Sequence, residues 1–553
     1  MKNLLNHRVS GRALNLLLRS QSAKPARMAL AFAMRQQLGI AELDKLPMES
    51  REALPVTVLP KARNKARALR KGEPFAPSSP SEWPRTQAFV HDLYTKHARS
   101  PEQVAKALFE EIDALDGEIP SANPFLSVDE AGVLAEAKAS TERWRNNQPL
   151  GPFDGVPIAI KEQSDVSSLR TRLGTNWIET TPATEDATVV KRLRAQGALI
   201  VGHTVMTEFG MSPLGVNPQR RMPSNVHHSK HMAGGSSTGS ATAVALGLCP
   251  VALGADGGGS IRIPAALNGV FGIKPTFGRI PRTGDRFDGS MNHLGPIGVS
   301  SYELALFLEA VAGDDGIDPA SRGIAAYSAN ELLADMAQGI KGFRIGVDET
   351  LWALADPAIV SAANLALQAL EDEGAEIVSI SLPLAHHASA IGYLTLAPEA
   401  YASFRRLKTK ANEEYGPDVR LMRAFVSEIG PDEYLAAQQL RATLRKQTSE
   451  LFDQVDLIAL PSTACLAPRF SNIEEMVEGV LDPESLDALC RYAFLANITG
   501  LPAGTAPIGR NADGLPFALQ LMADAWDEGA VLSAMAALER TGISRSEKPA
   551  RCF

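Results

Sequence analysis

Two glycine-rich segments that carry serine constrain this 553-residue chain most strongly. The first spans residues 234–240 (GGSSTGS) and the second spans residues 256–262 (DGGGSIR). A small-residue pattern typical of a helix (238–248) and a short apolar run (251–253) connect them. Glycine lets the main chain approach a ligand closely and lets several N–H groups converge on one point. The pair of segments therefore indicates a backbone shaped around a reacting atom.

Short apolar runs alternate with helix patterns over most of the chain after residue 100. A buried strand is predicted at 155–160, ending at Lys161, and further strands are predicted at 198–201, 251–253, 343–347, 375–379 and 456–460. Helices are predicted at 100–115 (opened by a capping box), 187–196 (capped by Asp186), 238–248 and 357–373. This alternation is typical of an α/β fold in which helices cover both faces of a sheet.

The composition is that of a globular protein with a large core, since 45% of the residues are apolar and 21% are charged. The net charge of −8 argues against nucleic-acid binding, which needs a basic surface. The cysteines (Cys249, Cys465, Cys490 and Cys552) lack metal-site spacing and are too few for a disulfide framework. They favour a reducing compartment, and we expect a cytoplasmic protein without a transmembrane span or secretory signal.

The first 41 residues contain no acid, and seven lysines or arginines alternate with Leu, Ala and Met at helical spacing. We favour a helical extension that packs on the main body or on another protomer, as in a homodimer. Docking on a membrane surface and an organellar transit peptide are the alternatives. A proline-rich segment at 72–85 ends this part. The predicted organisation is a helical extension and linker over residues 1–87, followed by a catalytic domain over residues 88–553.

A serine in either glycine-rich segment needs a base before it can act as a nucleophile. Neither segment contains histidine, but Lys161 follows an apolar strand, and burial lowers the pKa of a lysine towards neutrality. Two serines and one such lysine can move a proton in a Ser–Lys variant of the catalytic triad. The N–H groups of Gly257, Gly258 and Gly259, with that of the next residue, could form an oxyanion hole.

With these motifs, the chain resembles the amidase signature family of serine hydrolases. The matching segments are 155–161 (GVPIAIK), 234–237 (GGSS), 256–264 (DGGGSIRIP), 272–276 (GIKPT) and 514–516 (GLP). The resemblance extends from about residue 88 to residue 540. It implies the amidase signature fold, with a mixed, mostly parallel central sheet between layers of helices.

The resemblance also implies catalytic roles. Ser260 would be the nucleophile that forms the acyl-enzyme, and Ser236, after a cis peptide bond, would be the bridging serine. Lys161 would be the general base and would later protonate the leaving amine. Three further residues would support the site: Ser237 by hydrogen bonds to this network, and Asp256 and Arg262 by bracing the second segment.

The function implied by the resemblance is hydrolysis of a carboxylic amide, with ester, anilide and carbamate substrates left open. The expected partner is a small-molecule amide, and neither a metal nor an organic cofactor is implied. One alternative is the glutaminase subunit of a tRNA-dependent amidotransferase, although the long extension and the unusual segment 224–231 count against it. A protein that only binds its ligand is another alternative. Substrate choice is predicted to depend on residues 205–216, 284–296 and 395–450.

The chain departs from the family pattern at Gly257, where a larger residue is usual, and at Thr238 and residues 203–205 and 224–231. Gly257 is expected to widen the acyl side of the site. None of these departures touches the proposed triad, but those at 203–205 and 224–231 leave the substrate class open.

Two rival interpretations concern the first segment and the histidines before it. Ser237 also fits the nucleophile elbow of α/β-hydrolases, but that elbow needs a hydrophobic strand directly before it. His227, His228 and His231 could be metal ligands, but no nearby acid or cysteine completes a set. We favour a polar loop near the active site for these histidines.

Overall fold

A computed structural model describes residues 8–11, 14, 17, 24–43, 45–46, 75, 85–116, 122–178, 180–287, 289–404 and 414–549. The strands are β1 (Val9–Ser10), β2 (Phe125–Val128), β3 (Pro157–Lys161), β4 (Leu199–Thr204), β5 (Val251–Asp256), β6 (Phe271–Lys274), β7 (His293–Gly298), β8 (Arg344–Val347), β9 (Glu376–Ser379), β10 (Leu457–Pro461), β11 (Val480–Leu481), β12 (Ala503–Arg510) and β13 (Pro516–Ala523). The helices are α1 (Lys24–Gln37), α2 (Ile40–Leu43), α3 (Gln87–Thr95), α4 (Pro101–Asp116), α5 (Glu130–Arg145), α6 (Thr188–Ala195), α7 (Thr238–Ala245), α8 (Arg262–Asn268), α9 (Ser301–Val311), α10 (Glu331–Gln338), α11 (Glu349–Trp352), α12 (Pro357–Asp372), α13 (Ala388–Phe404), α14 (Pro417–Val426), α15 (Pro431–Leu451), α16 (Ile473–Glu478), α17 (Pro483–Cys490), α18 (Ala493–Thr499) and α19 (Glu528–Arg540), with 3-10 turns at Glu208–Gly210 and Pro383–His387.

One large sheet forms the centre of the fold, in the order β2-β4-β3-β5-β7-β6-β12-β13-β10-β8-β9. The predicted α/β class and mixed sheet are confirmed. The expectation of a mostly parallel sheet is wrong for the described strands, because parallel pairing is confined to β4-β3-β5 and β10-β8-β9. Antiparallel pairs join these two parts, and the connection between β12 and β13 is too short for a parallel crossover.

The strands that lead to Lys161 and to the second glycine-rich segment are buried along their whole length. All residues of β3 and β5 are buried, as the continuous apolar runs predicted. Ile158 and Ile160 point into one hydrophobic cluster, and Ala159 belongs to another. Successive side chains of a strand face opposite sides of a sheet, so each face of the sheet has its own core.

The helix predictions hold for α4, including its start, but fail at the start of α6. At α4, Gln103 N donates to Ser100 Oγ at 3.2 Å, and Ser100 N donates to Gln103 Oε1 at 2.8 Å, which is the predicted capping box. Asp186 does not cap α6. Its carboxylate accepts from Ser167 N at 2.7 Å and from Arg194 Nε at 2.9 Å, since these more distant partners satisfy it instead.

The described part of the N-terminal extension packs on the main body. β1 pairs with β11, and Leu30 of α1 shares a hydrophobic cluster with Leu421 and Ala424 of α14. Three arginines of this extension form ion pairs with acids of the body: Arg8 with Glu475 and Asp482, Arg27 with Glu428, and Arg35 with Glu433. These contacts agree with the favoured interpretation, while the predicted boundary at residue 87 stays a prediction. Within the described ranges, no helix combines the length and hydropathy of a membrane span.

The N-terminal turn of α7 packs against the main chain of its neighbours at Gly239. A Cβ atom at Gly239 would lie 2.4 Å from Pro124 O and 2.7 Å from Val205 N, both of which are backbone atoms. We therefore expect Gly239→Ala to lower the free energy of unfolding by about 1–3 kcal/mol, the usual cost of overpacking. Urea denaturation measures this change.

The matched control is Gly529→Ala in α19. The added methyl group would meet side-chain atoms of Asp335 rather than main chain, and a side chain yields more readily than backbone. Because alanine also favours a helix by about 1 kcal/mol over glycine, Gly529→Ala is expected to be nearly neutral. Equal losses of stability in the two variants would show that the close backbone approach at Gly239 is unimportant.

Candidate active site

Three segments meet at the carboxyl ends of two neighbouring parallel strands. β3 pairs in parallel with β5, so Lys161 at the end of β3 lies beside the segment that follows β5 and carries Ser260. Ser236 precedes α7, whose residues pack on β5 and β3. Ligand sites in α/β proteins commonly lie at such strand ends.

Lys161 and Ser236 are in direct contact. Lys161 Nζ donates to Ser236 Oγ at 2.8 Å and to Ala255 O at 3.3 Å. Both side chains are buried, with about 1% exposed in each case. Burial lowers the pKa of Lys161 to about 7, against smaller opposing effects of the charges on Asp285 and Asp256. An amine with this pKa can accept a proton near neutral pH.

The two glycine-rich segments are tied together by Ser237. Its Oγ donates to Ala255 O at 3.2 Å and accepts from Ala255 N at 3.2 Å, and Ser237 N donates to Ser260 O at 3.2 Å. The peptide bond between Gly235 and Ser236 is cis, as expected from the resemblance. Ser237 is fully buried, and no strand directly precedes it, so the nucleophile-elbow interpretation finds no support.

Asp256 and Arg262 form a buried brace beneath the second segment. Arg262 Nε donates to Asp256 Oδ2 at 3.0 Å and Arg262 Nη2 donates to Asp256 Oδ1 at 2.9 Å. Burial alone would raise the pKa of Asp256, but the charge and hydrogen bonds of Arg262 outweigh burial and lower it. The carboxylate therefore stays ionised and holds Arg262, which also donates to Ala493 O and Asn497 Oδ1.

The brace changes the expected set of oxyanion donors. Gly259 N donates to Asp256 Oδ1 at 2.7 Å, so this N–H group is already engaged and the expectation that it faces the substrate is not met. Within the described part of the chain, the N–H groups of Gly257, Gly258 and Ser260 have no hydrogen-bond partner. These three remain as candidate donors.

A cleft of about 470 Å³, counted with its opening to solvent, contains Lys161, Ser236 and Ser260. The three segments predicted to govern substrate choice all reach it. Its apolar lining consists mainly of Phe209, Met211, Phe287, Met291, Leu396 and Ala400, and its polar lining includes Gln163, Asn292 and Glu399.

Gly257 does not leave an empty space on this cleft. A Cβ atom at Gly257 would lie 3.2 Å from Leu396 Cδ1, so the Leu396 side chain occupies the place next to the loop. The space that glycine was expected to leave on the acyl side of the cleft is therefore filled by the Leu396 side chain. Only the three-dimensional contact between two distant segments reveals this compensation.

The histidine loop is held by hydrogen bonds. His227 Nε2 lies 2.8 Å from Asn268 O, and Arg510 Nη1 lies 2.9 Å from His227 Nδ1, so both ring nitrogens are occupied. His228 and His231 pack edge to face with ring centroids 4.4 Å apart. Among the described residues, no group of three or more His, Cys, Asp or Glu side chains could hold a metal ion.

Comparison with known families decides the relationship. The model of the Amidase family matches residues 103–532, which is most of the chain. The chain belongs to the amidase signature family. The family and the α/β fold predicted from the sequence motifs are thereby confirmed.

Relatives within the amidase signature family differ in what they do. A glutamyl-tRNA(Gln) amidotransferase subunit from Roseiflexus castenholzii is 33% identical over 482 residues, covering 82% of this chain and 95% of the relative. The fatty acid amide hydrolase of Arabidopsis thaliana is 31% identical over 453 residues, covering 81% and 74%. A solved bacterial aryl acylamidase of the amidase signature family has a TM-score of 0.72 at 25% identity, covering 82% of this chain and 96% of that one.

Gln163 was not identified from the sequence, whereas Asn292 and Glu399 fall within segments 284–296 and 395–450, which were predicted to govern substrate choice at this cleft. Gln163, Asn292 and Glu399 line it, and Asp285 lies behind the first two. Asp285 comes close to Gln163 only through the fold, 122 residues later in the chain. The position of Gln163, two residues after Lys161, was the one signal in the sequence that pointed to it.

Proposed function

We propose that this amidase signature enzyme hydrolyses a carboxylic amide through an acyl-enzyme at Ser260. The observation that carries the proposal is the contact of 2.8 Å between Lys161 Nζ and Ser236 Oγ in the cleft that Ser260 also lines. A buried amine with a pKa of about 7 supplies the base that a serine hydroxyl requires.

In the first half of the reaction, Ser260 Oγ attacks the substrate carbonyl carbon and forms a C–O bond. Ser260 gives its proton to Ser236, which passes its own proton to neutral Lys161. The negative charge moves to the carbonyl oxygen, where the free N–H groups of Gly257 and Gly258 can stabilise it. When the C–N bond breaks, the proton returns from Lys161 through Ser236 to the leaving nitrogen.

In the second half, a water molecule takes the place of the amine. Lys161, neutral again, accepts the proton of the attacking water through Ser236. The new tetrahedral intermediate collapses with cleavage of the bond to Ser260 Oγ, which regains a proton. The products are a carboxylic acid and an amine, and the enzyme returns to its starting protonation state.

The lining of the cleft favours a substrate with an apolar group. Phe209, Met211, Phe287, Met291 and Leu396 would contact the substrate through apolar or aromatic surface. The names of two relatives, a fatty acid amide hydrolase and an aryl acylamidase, fit this chemistry. Anilides, esters and carbamates with apolar acyl groups are the first compounds to test.

The second candidate is the glutaminase subunit of an amidotransferase, and the amidotransferase relatives favour it. Glutamine carries a carboxylate that a site must pair with a cation. Among the described residues that line the cleft, the charged side chains are Lys161 and Glu399, and no guanidinium is present. We therefore rank glutaminase activity second.

The deciding experiment is a screen of amide, anilide, ester, carbamate and glutamine substrates with the isolated chain. We expect turnover of an apolar amide or anilide without any partner protein, and no turnover above background by Ser260→Ala. Glutamine hydrolysis that appears only after addition of the other amidotransferase subunits would favour the second candidate instead.

A further inference from the structure

The side-chain amide of Gln163 is fixed in one orientation by its partners. Gln163 Nε2 lies 3.0 Å from Asp285 Oδ1 and 3.2 Å from Asn292 Oδ1. Asp285 Oδ1 also accepts from Phe287 N at 3.0 Å and from Asn292 Nδ2 at 3.1 Å, which identifies it as an acceptor. The nitrogen of Gln163, rather than its oxygen, must therefore face Asp285, and both of its hydrogens are used.

The remaining polar atom of Gln163 is its oxygen, Oε1. Gln163 is only 3% exposed, yet it lines the catalytic cleft. In the described part of the chain, Gln163 Oε1 accepts no hydrogen bond, and it is not sealed inside the protein. Such an acceptor needs a donor from water or from a ligand, and a substrate that fills the cleft and displaces water must supply that donor itself.

Gln163 is close in the chain to Lys161, which donates the proton to the leaving amine in the proposed reaction. It follows Lys161 by two residues, and Gln163 N donates to Lys161 O at 2.6 Å in the tight turn after β3. Under the proposed function, Lys161 delivers its proton through Ser236 to the leaving nitrogen. Gln163 lines the same cleft as Lys161, Ser236 and Ser260, so its amide is available to a leaving nitrogen that takes its proton from Ser236.

We infer that Gln163 Oε1 accepts a hydrogen bond from the N–H group of the leaving nitrogen. This makes Gln163 a specificity-determining residue, which favours amides that carry an N–H group over esters and N,N-disubstituted amides. Asp285 and Asn292 are positioning residues, since they hold the amide of Gln163 with its oxygen towards the substrate. The inference rests on the proposed function.

The test compares three substrates of one apolar acid: a secondary anilide, its N-methyl counterpart and the phenyl ester. Gln163→Met keeps the length of the side chain and removes the acceptor. We expect the ratio of kcat/KM for the anilide to that for the ester to fall about 3- to 10-fold, the value of one hydrogen bond to a neutral group. The N-methyl anilide carries no N–H group, so its kcat/KM should change by the same factor as that of the ester.

Two further variants separate substrate recognition from a structural effect. Ser164→Ala removes the hydrogen bond of 3.0 Å from Ser164 Oγ to Asp285 Oδ2 without touching the cleft, so both rates should change by the same factor. Asp285→Leu removes the carboxylate that accepts from Gln163 Nε2 and orients it, and it should lower the same ratio as Gln163→Met does.

An unchanged ratio in folded Gln163→Met and Asp285→Leu would overturn the inference while leaving the proposed function intact. If Ser164→Ala lowered the anilide-to-ester ratio of kcat/KM as much as Gln163→Met does, the inference would also be overturned, because the effect would then be structural. If the wild-type chain turns over neither the anilide nor the ester, the proposed function fails and this inference falls with it.

Discussion

Replacing Lys161 with methionine is expected to lower kcat/KM for an amide substrate by about 10²- to 10⁴-fold, the usual contribution of general acid–base catalysis. Methionine fills a similar volume but cannot accept a proton. Lys161 is buried and touches Ser236, so its loss removes the base that contacts this serine. Steady-state kinetics on the best substrate of the screen measures the effect.

The same substitution should leave the protein folded. Burying an amine at the end of an apolar strand destabilises the folded protein. Lys161→Met removes this amine, so we expect it to keep or raise the melting temperature. Loss of activity with an unchanged melting temperature therefore separates catalysis from unfolding. A folded Lys161→Met variant that keeps more than a tenth of the wild-type rate would remove Lys161 from the mechanism.

The wild-type pH profile follows from the same group. Burial lowers the pKa of Lys161 to about 7, and only the neutral amine accepts a proton. We expect kcat/KM to be low below pH 6, to rise through a midpoint near pH 7, and to be level above pH 8. An acidic limb with the same midpoint in Lys161→Met would assign the titration to another group.

Replacing Arg262 with methionine is expected to cost about 3–5 kcal/mol of stability, because it leaves a buried carboxylate without its partner. Arg262 and Asp256 are both fully buried, and Arg262 also donates to Gln520 Oε1 at 2.6 Å. Asp256 Oδ1 in turn accepts from Gly259 N, so a disordered brace would also displace the donors at Gly257 and Gly258. Thermal and urea denaturation measure the stability, and kinetics under folded conditions measure the rate.

Arg35→Met is the matched control for this prediction. Arg35 forms an ion pair of 2.8 Å with Glu433, but both side chains are partly exposed. Exposed pairs contribute about 0–1 kcal/mol, so the control should be close to wild type. Equal stability of Arg262→Met and Arg35→Met would contradict the role of the buried brace.

The sequence motifs predicted which segments meet at the candidate site, because such motifs reflect the local backbone conformation. The apolar run before Lys161 predicted a buried strand, and β3 is buried throughout. The glycines around Ser236 and Ser260 predicted closely approaching loops, and both serines line one cleft. Such patterns depend on neighbouring residues alone, so a single sequence contains them.

Features that depend on distant partners could not be predicted in the same way. The compensation of Gly257 by Leu396, and the orientation of Gln163 by Asp285, each join segments more than 100 residues apart. The engagement of Gly259 is different, since Asp256 lies only three residues before it. Aspartate often accepts a backbone N–H a few residues ahead, so this correction was available from the sequence.

The central claim is that Ser260 carries an acyl group during turnover. The most direct measurement is acid quenching of the enzyme during reaction with a slow ester or carbamate, followed by intact mass spectrometry and peptide mapping. We expect a mass increase equal to the acyl group on the peptide that contains Ser260, and no increase in Ser260→Ala. Turnover with the acyl group on Ser236, Ser237 or another residue would contradict it.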